Sequence, residues 1–294
     1  MQRLIFALLL SCLSSGPAVA QPPTATARQL IALIHQHLNV QLPATTVDTF
    51  KAGDPDTPVT GIAVTMMATF DVLERAAASG DNLIITHEPT FYNHQDTTNQ
   101  LEKAADPVLA EKQKFIAAHH LVVWRFHDGW HARNPDGILL GMTQALGWQK
   151  FQTADQKNLF TLPETTITKL AFDMKRKLDI RVLRVVGDPE MKVKNVAFLP
   201  GAAGSARQIA MLEKPEVEAL IIGETPEWET VEYVADAARE GKRKALLILG
   251  HIPSEQEGMR ECADWLRTFI SAVPIGFIPA REPFWVPLAA GKNE

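Results

Sequence analysis

Six side chains in this 294-residue chain combine the right types for chemistry: His87 and Glu88, His127 and His131, His251 and Glu255. No thiolate stands with them. Imidazole nitrogens and carboxylate oxygens together are the donor mix of zinc, manganese, iron and similar divalent ions. Six donors exceed what one tetrahedral ion takes, whereas two ions roughly 3.5 to 4 Å apart would use them all. Two divalent cations against two glutamates and a hydroxide leave a small positive remainder, which favours an anionic ligand such as a phosphate ester. A solitary histidine after an apolar strand is more often a core or capping residue. The grouping is what argues for metal.

The elements that must carry these residues are legible as patterns. Leu30, Ile31, Ile34 and Leu38 repeat at helical spacing over 27–38. Residues 59–65 read as a strand, 69–79 as a helix, 82–86 as a strand, 107–119 as a helix and 121–126 as a strand. Strands alternating with helices imply α/β architecture and parallel sheets. The stretch 193–228 then overlays 59–91 with little gapping, each copy running strand, loop, helix and an apolar strand that ends near an acid and a proline. In that overlay Glu224 meets His87. Each copy next sends a helix and a strand toward a histidine, His127 in the first and His251 in the second, with a further potential ligand four residues on. The chain therefore reads as one compact domain of two pseudo-repeated α/β halves, 29–150 and 193–294, joined by a connecting segment at 151–192. The donors fall at the carboxyl ends of corresponding strands, where open α/β sheets bind their ligands.

Other candidates are weaker. Glu224 reads as a general base, a carboxylate that orients a ligand, or a helix cap. Asp128 is either an extra ligand or the group that orients the His127 imidazole. His94 reads as a neighbour of the ligands or a solvent-facing residue. His35 and His37 lie two apart on a helix and read as surface, while His119 and His120 close a helix, where positive character suits the dipole. Pro200-Gly201-Ala202-Ala203-Gly204-Ser205 could cradle an anion on backbone amides, or form a tight turn with Ser205 as a helix cap; it lacks the lysine of a phosphate-binding loop.

Composition sets the remaining bounds. The first twenty residues place Arg3 before an apolar stretch and end on Ala18-Val19-Ala20, a signal-peptide pattern. The expectation is a periplasmic or secreted protein with a linker at 21–28. Leu9-Leu10-Ser11-Cys12 admits a lipoprotein as the alternative. Cleavage would remove Arg3 and no acid, taking the formal charge from −5 to −6, which argues against a nucleic-acid partner. No stretch has the roughly 20 apolar residues of a membrane span. The one cysteine left, Cys262, beside Ala263, Trp265 and Leu266, reads as a buried, inert core residue.

With these motifs the chain resembles the Nif-three-like family, often labelled type 2 GTP cyclohydrolase I homologues. The resemblance runs in order through IITHEPTF, HDGWH, VAFLPGAAGS, IIGE and GHIPSE. The family's His-His-Pro reads here His87-Glu88-Pro89; its His-x-x-x-Asp reads His127 to His131; its His-x-x-x-Glu is kept as His251 to Glu255. Glu88 for histidine and His131 for aspartate depart in opposite senses, so the ligand inventory and its charge are preserved. Where the family often has an aspartate, this chain has Met66 or Met67. The resemblance implies two α/β halves with a dinuclear metal centre in the cleft between them, commonly in a toroidal homohexamer. From the chemistry of two such ions, the function expected is a metal-dependent hydrolase with two divalent ions (Zn, Mn or Fe) and a small anionic or amide substrate. The alternative is a non-catalytic metal-binding or assembly protein. GTP cyclohydrolase activity ranks below both, since an exported protein meets little GTP.

Overall fold

A computed structural model describes residues 25–287. The signal-peptide and lipobox readings lie outside these residues. The chain opens with α1 (Ala27–Leu38), β1 (Phe50–Ala52), β2 (Ile62–Met67), α2 (Phe70–Ser79), β3 (Leu83–Glu88), α3 (Asn99–Lys103), α4 (Pro107–Ala118), β4 (Val122–Arg125), α5 (Asp128–Ala132) and α6 (Gly137–Leu146). It continues with β5 (Gln152–Thr153), β6 (Gln156–Thr166), α7 (Ile167–Lys177), β7 (Arg184–Val186), β8 (Lys192–Leu199), α8 (Ser205–Leu212), β9 (Ala219–Ile222), α9 (Glu232–Arg239), β10 (Ala245–Ile248), α10 (His251–Arg267) and β11 (Ile275–Phe277).

Two sheets result, in the orders β1-β4-β3-β2-β11 and β5-β6-β8-β9-β10-β7. Strands β2, β3 and β4 run parallel, as do β8, β9 and β10. In each set the strand that precedes it, β1 or β7, returns antiparallel along the last member. The repeat read from sequence is therefore a repeat of topology. Strands β3, β4, β9 and β10 are buried along their whole length, as expected for parallel strands covered on both faces.

Residues 151–192 do more than connect. Strand β6 pairs with β8, and α7 and β7 supply the second copy's counterparts of α1 and β1. Its stretch 156–166 lacks the uniform apolar character of the central strands, because β6 pairs near the sheet edge and much of it faces solvent. The chain also crosses back at its end, where β11 joins the first sheet beside β2. The 21–28 linker is shorter than read, since Thr26 and Gln29 form a reciprocal capping box that starts α1 at Ala27.

One core cluster takes residues from both sheets and from α1, α6, α7 and α10, while α2 and α4 cover the outer face of the first sheet and α8 that of the second. Helix α10 leaves the end of β10 and packs against α6. Gly141 and Gly258 permit this approach, because a Cβ on either would clash with the backbone of the facing helix. Cys262 lies in this seam as a buried free thiol, as expected, and burial pushes its pKa up. No helix among the described residues is long and apolar enough to cross a membrane.

Candidate metal centre

Strand β3 runs two residues further than its apolar pattern suggests, so His87 and Glu88 close the strand rather than follow it. Both are buried, and the His87 Nδ1 lies 3.0 Å from the Phe126 carbonyl. His131 rides on α5 and His127 immediately precedes it; the helix is too short to persist alone. Tertiary contacts hold it: the Asp48 carboxylate accepts from the backbone N–H groups of His127, Asp128 and Gly129 at 2.7 to 2.9 Å. Trp130 donates to the Gly258 carbonyl, tying α5 to α10. His251 and Glu255 sit one turn apart at the start of α10, on one face of the helix.

These elements bring all six predicted donors together. The His251 Nε2 lies 3.4 Å from both Glu88 Oε1 and Glu255 Oε2; the His127 Nε2 is 3.6 Å from Glu88 and the His87 Nε2 is 3.7 Å from Glu255. The rings of His87, His127 and His131 pack with centroids 4.6 to 4.9 Å apart. Each imidazole is oriented through its other nitrogen. His127 Nδ1 faces Asp128 at 2.9 Å, His131 Nδ1 faces Asp136 at 3.0 Å, and His251 Nδ1 faces Glu224 at 3.2 Å. That is the arrangement by which carboxylates fix the tautomer of metal-binding histidines.

These contacts bear on three readings left open by the sequence. Asp128 orients His127 and is itself held by Thr46 and the Val47 amide. Glu224, whose side chain is 55% exposed, holds His251 and caps no helix. Ser205 is the first residue of α8, not its cap; Gly204 occupies that place. The loop containing Gly201 presses against Glu255, with the Gly201 amide donating to Ser254 Oγ. Gly201 has φ +64° and a Cβ would strike the Glu255 carboxylate, so only glycine fits.

Arg125 was not foreseen. It is fully buried, donates to the His87 and His94 carbonyls, and pairs with Glu88 at 3.3 Å and Asp96 at 3.7 Å. An arginine inside VVWRF, an otherwise apolar strand, was its only signal. Asp136 was missed too; an aspartate before an apolar helical run marks an N-cap, but nothing local links it to His131.

The charges follow from this packing. Burial would lower His251, but Glu224, Glu255 and Glu88 outweigh it and push the imidazole up to about 12. Burial likewise opposes a raised His131, which Asp136, Glu255 and Glu88 nonetheless hold above its ordinary value. His87 is driven well down, by burial first and then by its neighbouring imidazoles, and His127 is lowered by burial. Glu88 stays below its usual value despite burial, because His251, His127 and Arg125 favour its charge.

A metal fits this donor set on two grounds. His87 Nε2 and Glu255 Oε2 are buried and have no hydrogen-bond partner, an arrangement costly for a site made only of protein. Bonds of roughly 2.1 Å at tetrahedral to octahedral angles would separate neighbouring donors by about 3.0 to 3.4 Å, close to the spacings found here. Two overlapping trios offer ligand atoms within 4.8 Å of one another: His87 with His127 and His131, and His87 with Glu88 and Glu255.

The chain is similar to known proteins in sequence and in fold. The family described as Duf34/NIF3 (NGG1p interacting factor 3) matches residues 25–283. A "GTP cyclohydrolase 1 type 2 homolog" of Chlamydia pneumoniae is 26% identical over 251 residues, 80% of this chain and 89% of that protein. A protein of the same name from Clostridium perfringens is 23% identical over 217 residues, covering 69% and 76%. Among solved structures, a Staphylococcus aureus hypothetical protein superposes with TM-score 0.70 at 16% identity, covering 90% of this chain and all of that one. A Bacillus cereus protein related to NIF3 gives 0.69 at 15% identity, with the same coverage. At these identities the structural matches establish the fold.

Proposed function

The chain belongs to the Duf34/NIF3 family, and on that premise we propose that it is a metal-dependent hydrolase whose His87, Glu88, His127, His131, His251 and Glu255 hold two divalent ions, Zn, Mn or Fe. The observation that carries this reading is the pair of orphaned buried atoms, His87 Nε2 and Glu255 Oε2, at the meeting point of the donors. When bound, such a pair of ions supplies Lewis acidity and brings the pKa of a water toward neutrality. The protein's own residues prepare the site for that chemistry. Asp128, Asp136 and Glu224 hold three imidazoles with Nε2 presented inward, and Arg125 steadies Glu88. Glu224 also lines the cavity beside the cluster, where its ionised carboxylate is placed to take a proton.

The substrate is a small anion or amide, and the setting is outside the cytoplasm. GTP cyclohydrolase, the activity in the relatives' printed name, is the lesser reading, because the cavity sets Glu88 and Glu224 against a single lysine. The test is metal content followed by turnover. The purified chain is expected to hold two ions, to lose them to chelator, and to hydrolyse at least one member of a panel of phosphoesters and amides only when loaded. His251→Ala should lose both metal and turnover. Full metal loading without turnover across the panel would transfer the case to a non-catalytic metal-binding protein; a chain that takes up no ion would end both readings.

A further inference from the structure

Beside the cluster lies a cavity of about 450 Å³, in the range of small-molecule sites. Glu88, Glu224 and His251 face it from the cluster, and Met67, Phe70 and Tyr92 give it apolar walls. Lys112 of α4 also lines it. This lysine is only 4% exposed, yet no carboxylate among the described residues lies within 4.0 Å of its ammonium. Its one hydrogen bond is to the Thr90 carbonyl at 2.7 Å, and the Tyr92 ring centroid is 5.2 Å away. A buried ammonium with one neutral acceptor is poorly compensated. Burial accordingly lowers Lys112 to about 8, which still leaves it mostly protonated at neutral pH. The Thr90 hydroxyl, in the same wall, is buried without a partner.

The wall is preorganised. Asp96 accepts from the Thr90 and Phe91 amides at 2.6 and 2.8 Å and is steadied from behind by Lys51 and Arg125. Tyr92 is held at φ +63°, a left-handed conformation that non-glycine residues seldom adopt and that tends to mark binding sites. The residue is left 57% exposed.

We propose that this cavity takes a compact ligand with an aromatic body and a single anionic group, carboxylate or phosphate, the anion held by Lys112 and Thr90 and the body lying against Met67, Phe70 and Tyr92. Delivery of the ligand's reacting group to Glu88 and His251 rests on the reading of the cluster given above; the binding of the anion does not.

The test is calorimetric titration of the full chain, metal-loaded and chelator-treated, with phenylphosphonate, benzoate, inorganic phosphate and GTP. Phenylphosphonate or benzoate should bind more tightly than GTP, and whichever binds identifies the anion. Lys112→Met, of similar length and without the charge, should weaken that binding about 10- to 100-fold, the worth of a charge-assisted hydrogen bond. Tyr92→Asn, which suits a left-handed backbone, should weaken the aryl anion several-fold while leaving inorganic phosphate unchanged. Thermal melts of both variants confirm the fold. Unchanged affinity in a folded Lys112→Met, tighter binding of GTP, or no binding of either aryl anion at millimolar concentration would overturn the proposal. Because Lys112-dependent binding is read in chelator-treated protein as well, its failure is separable from failure of the metal assignment.

Discussion

Substituting Asp136 by Asn separates the metal site from the fold with the exchange of one atom. In the native protein Asp136 Oδ1 accepts from the Ile138 and Leu139 amides at 2.9 and 3.1 Å, capping α6, while Oδ2 faces His131 Nδ1 at 3.0 Å. Asparagine caps a helix about as well as aspartate, so its carbonyl oxygen will keep the two amides. Its NH2 group must then face His131 Nδ1, which can only accept, and the ring proton moves to Nε2. That proton points where the proposed metal would bind. Flipping the amide would rescue the tautomer but break the cap, at about 1 kcal/mol. Loss of an orienting partner of this kind would by itself lower metal affinity about 10- to 100-fold, but the flip limits the loss to the worth of the cap, about 1 kcal/mol or roughly fivefold. The assay is competition with a chelator of known affinity, alongside denaturant unfolding of the metal-free variant. His131 is raised in the folded protein, so its pairing with Asp136 stabilises at low pH and fades as pH rises through that value. Unfolding is therefore measured at alkaline pH, where the stability loss should stay under about 1 kcal/mol. An affinity within twofold of the parent would refute both the tautomer argument and the assignment of His131 as a ligand.

Arg125→Met removes the buried partner of Glu88 and Asp96, and should cost about 3 to 5 kcal/mol of metal-free stability, since it strands a carboxylate in the interior; a loss below about 1 kcal/mol in urea unfolding would show the pair to be dispensable. Gly201→Ala places a methyl group against the Glu255 carboxylate at a positive φ, so stability should fall by about 1 to 3 kcal/mol and metal affinity with it, whereas Gly204→Ala, with open space around it, should lose stability without the loss of affinity. Lys112, lowered to about 8 in the fold against its ordinary value of 10.5, destabilises the protein fully below pH 8 and progressively less as pH rises toward 10.5. Stability should therefore climb with pH across that window on this residue's account, and Lys112→Met should be the more stable protein at neutral pH; a pH profile unchanged by the substitution would contradict the burial of a charged amine.

Local patterning carried much of the architecture. The helix at 27–38 and the strands leading to His87 and His127 were readable because burial imposes a period on apolar residues wherever an element packs. The repeat was readable because two copies that bury the same faces keep the same pattern. Strand β6 was not, since an element near a sheet edge has a mixed environment and no clean period. The donors themselves were visible by residue type and by their place after apolar runs.

What the sequence by itself determined is which atoms are available: six nitrogen and oxygen donors, carried at corresponding points of two similar units. Tertiary structure alone decided which of them meet and what holds them. His131 is positioned by Asp136, His251 by Glu224, Glu88 by Arg125, and the cavity's anion site by a lysine left without a carboxylate. Except for the short step from His131 to Asp136, those pairings join residues tens of positions apart, and a contact made by chain crossing leaves no periodic trace. A buried charge writes only its residue type into the sequence; its partner is chosen by the fold.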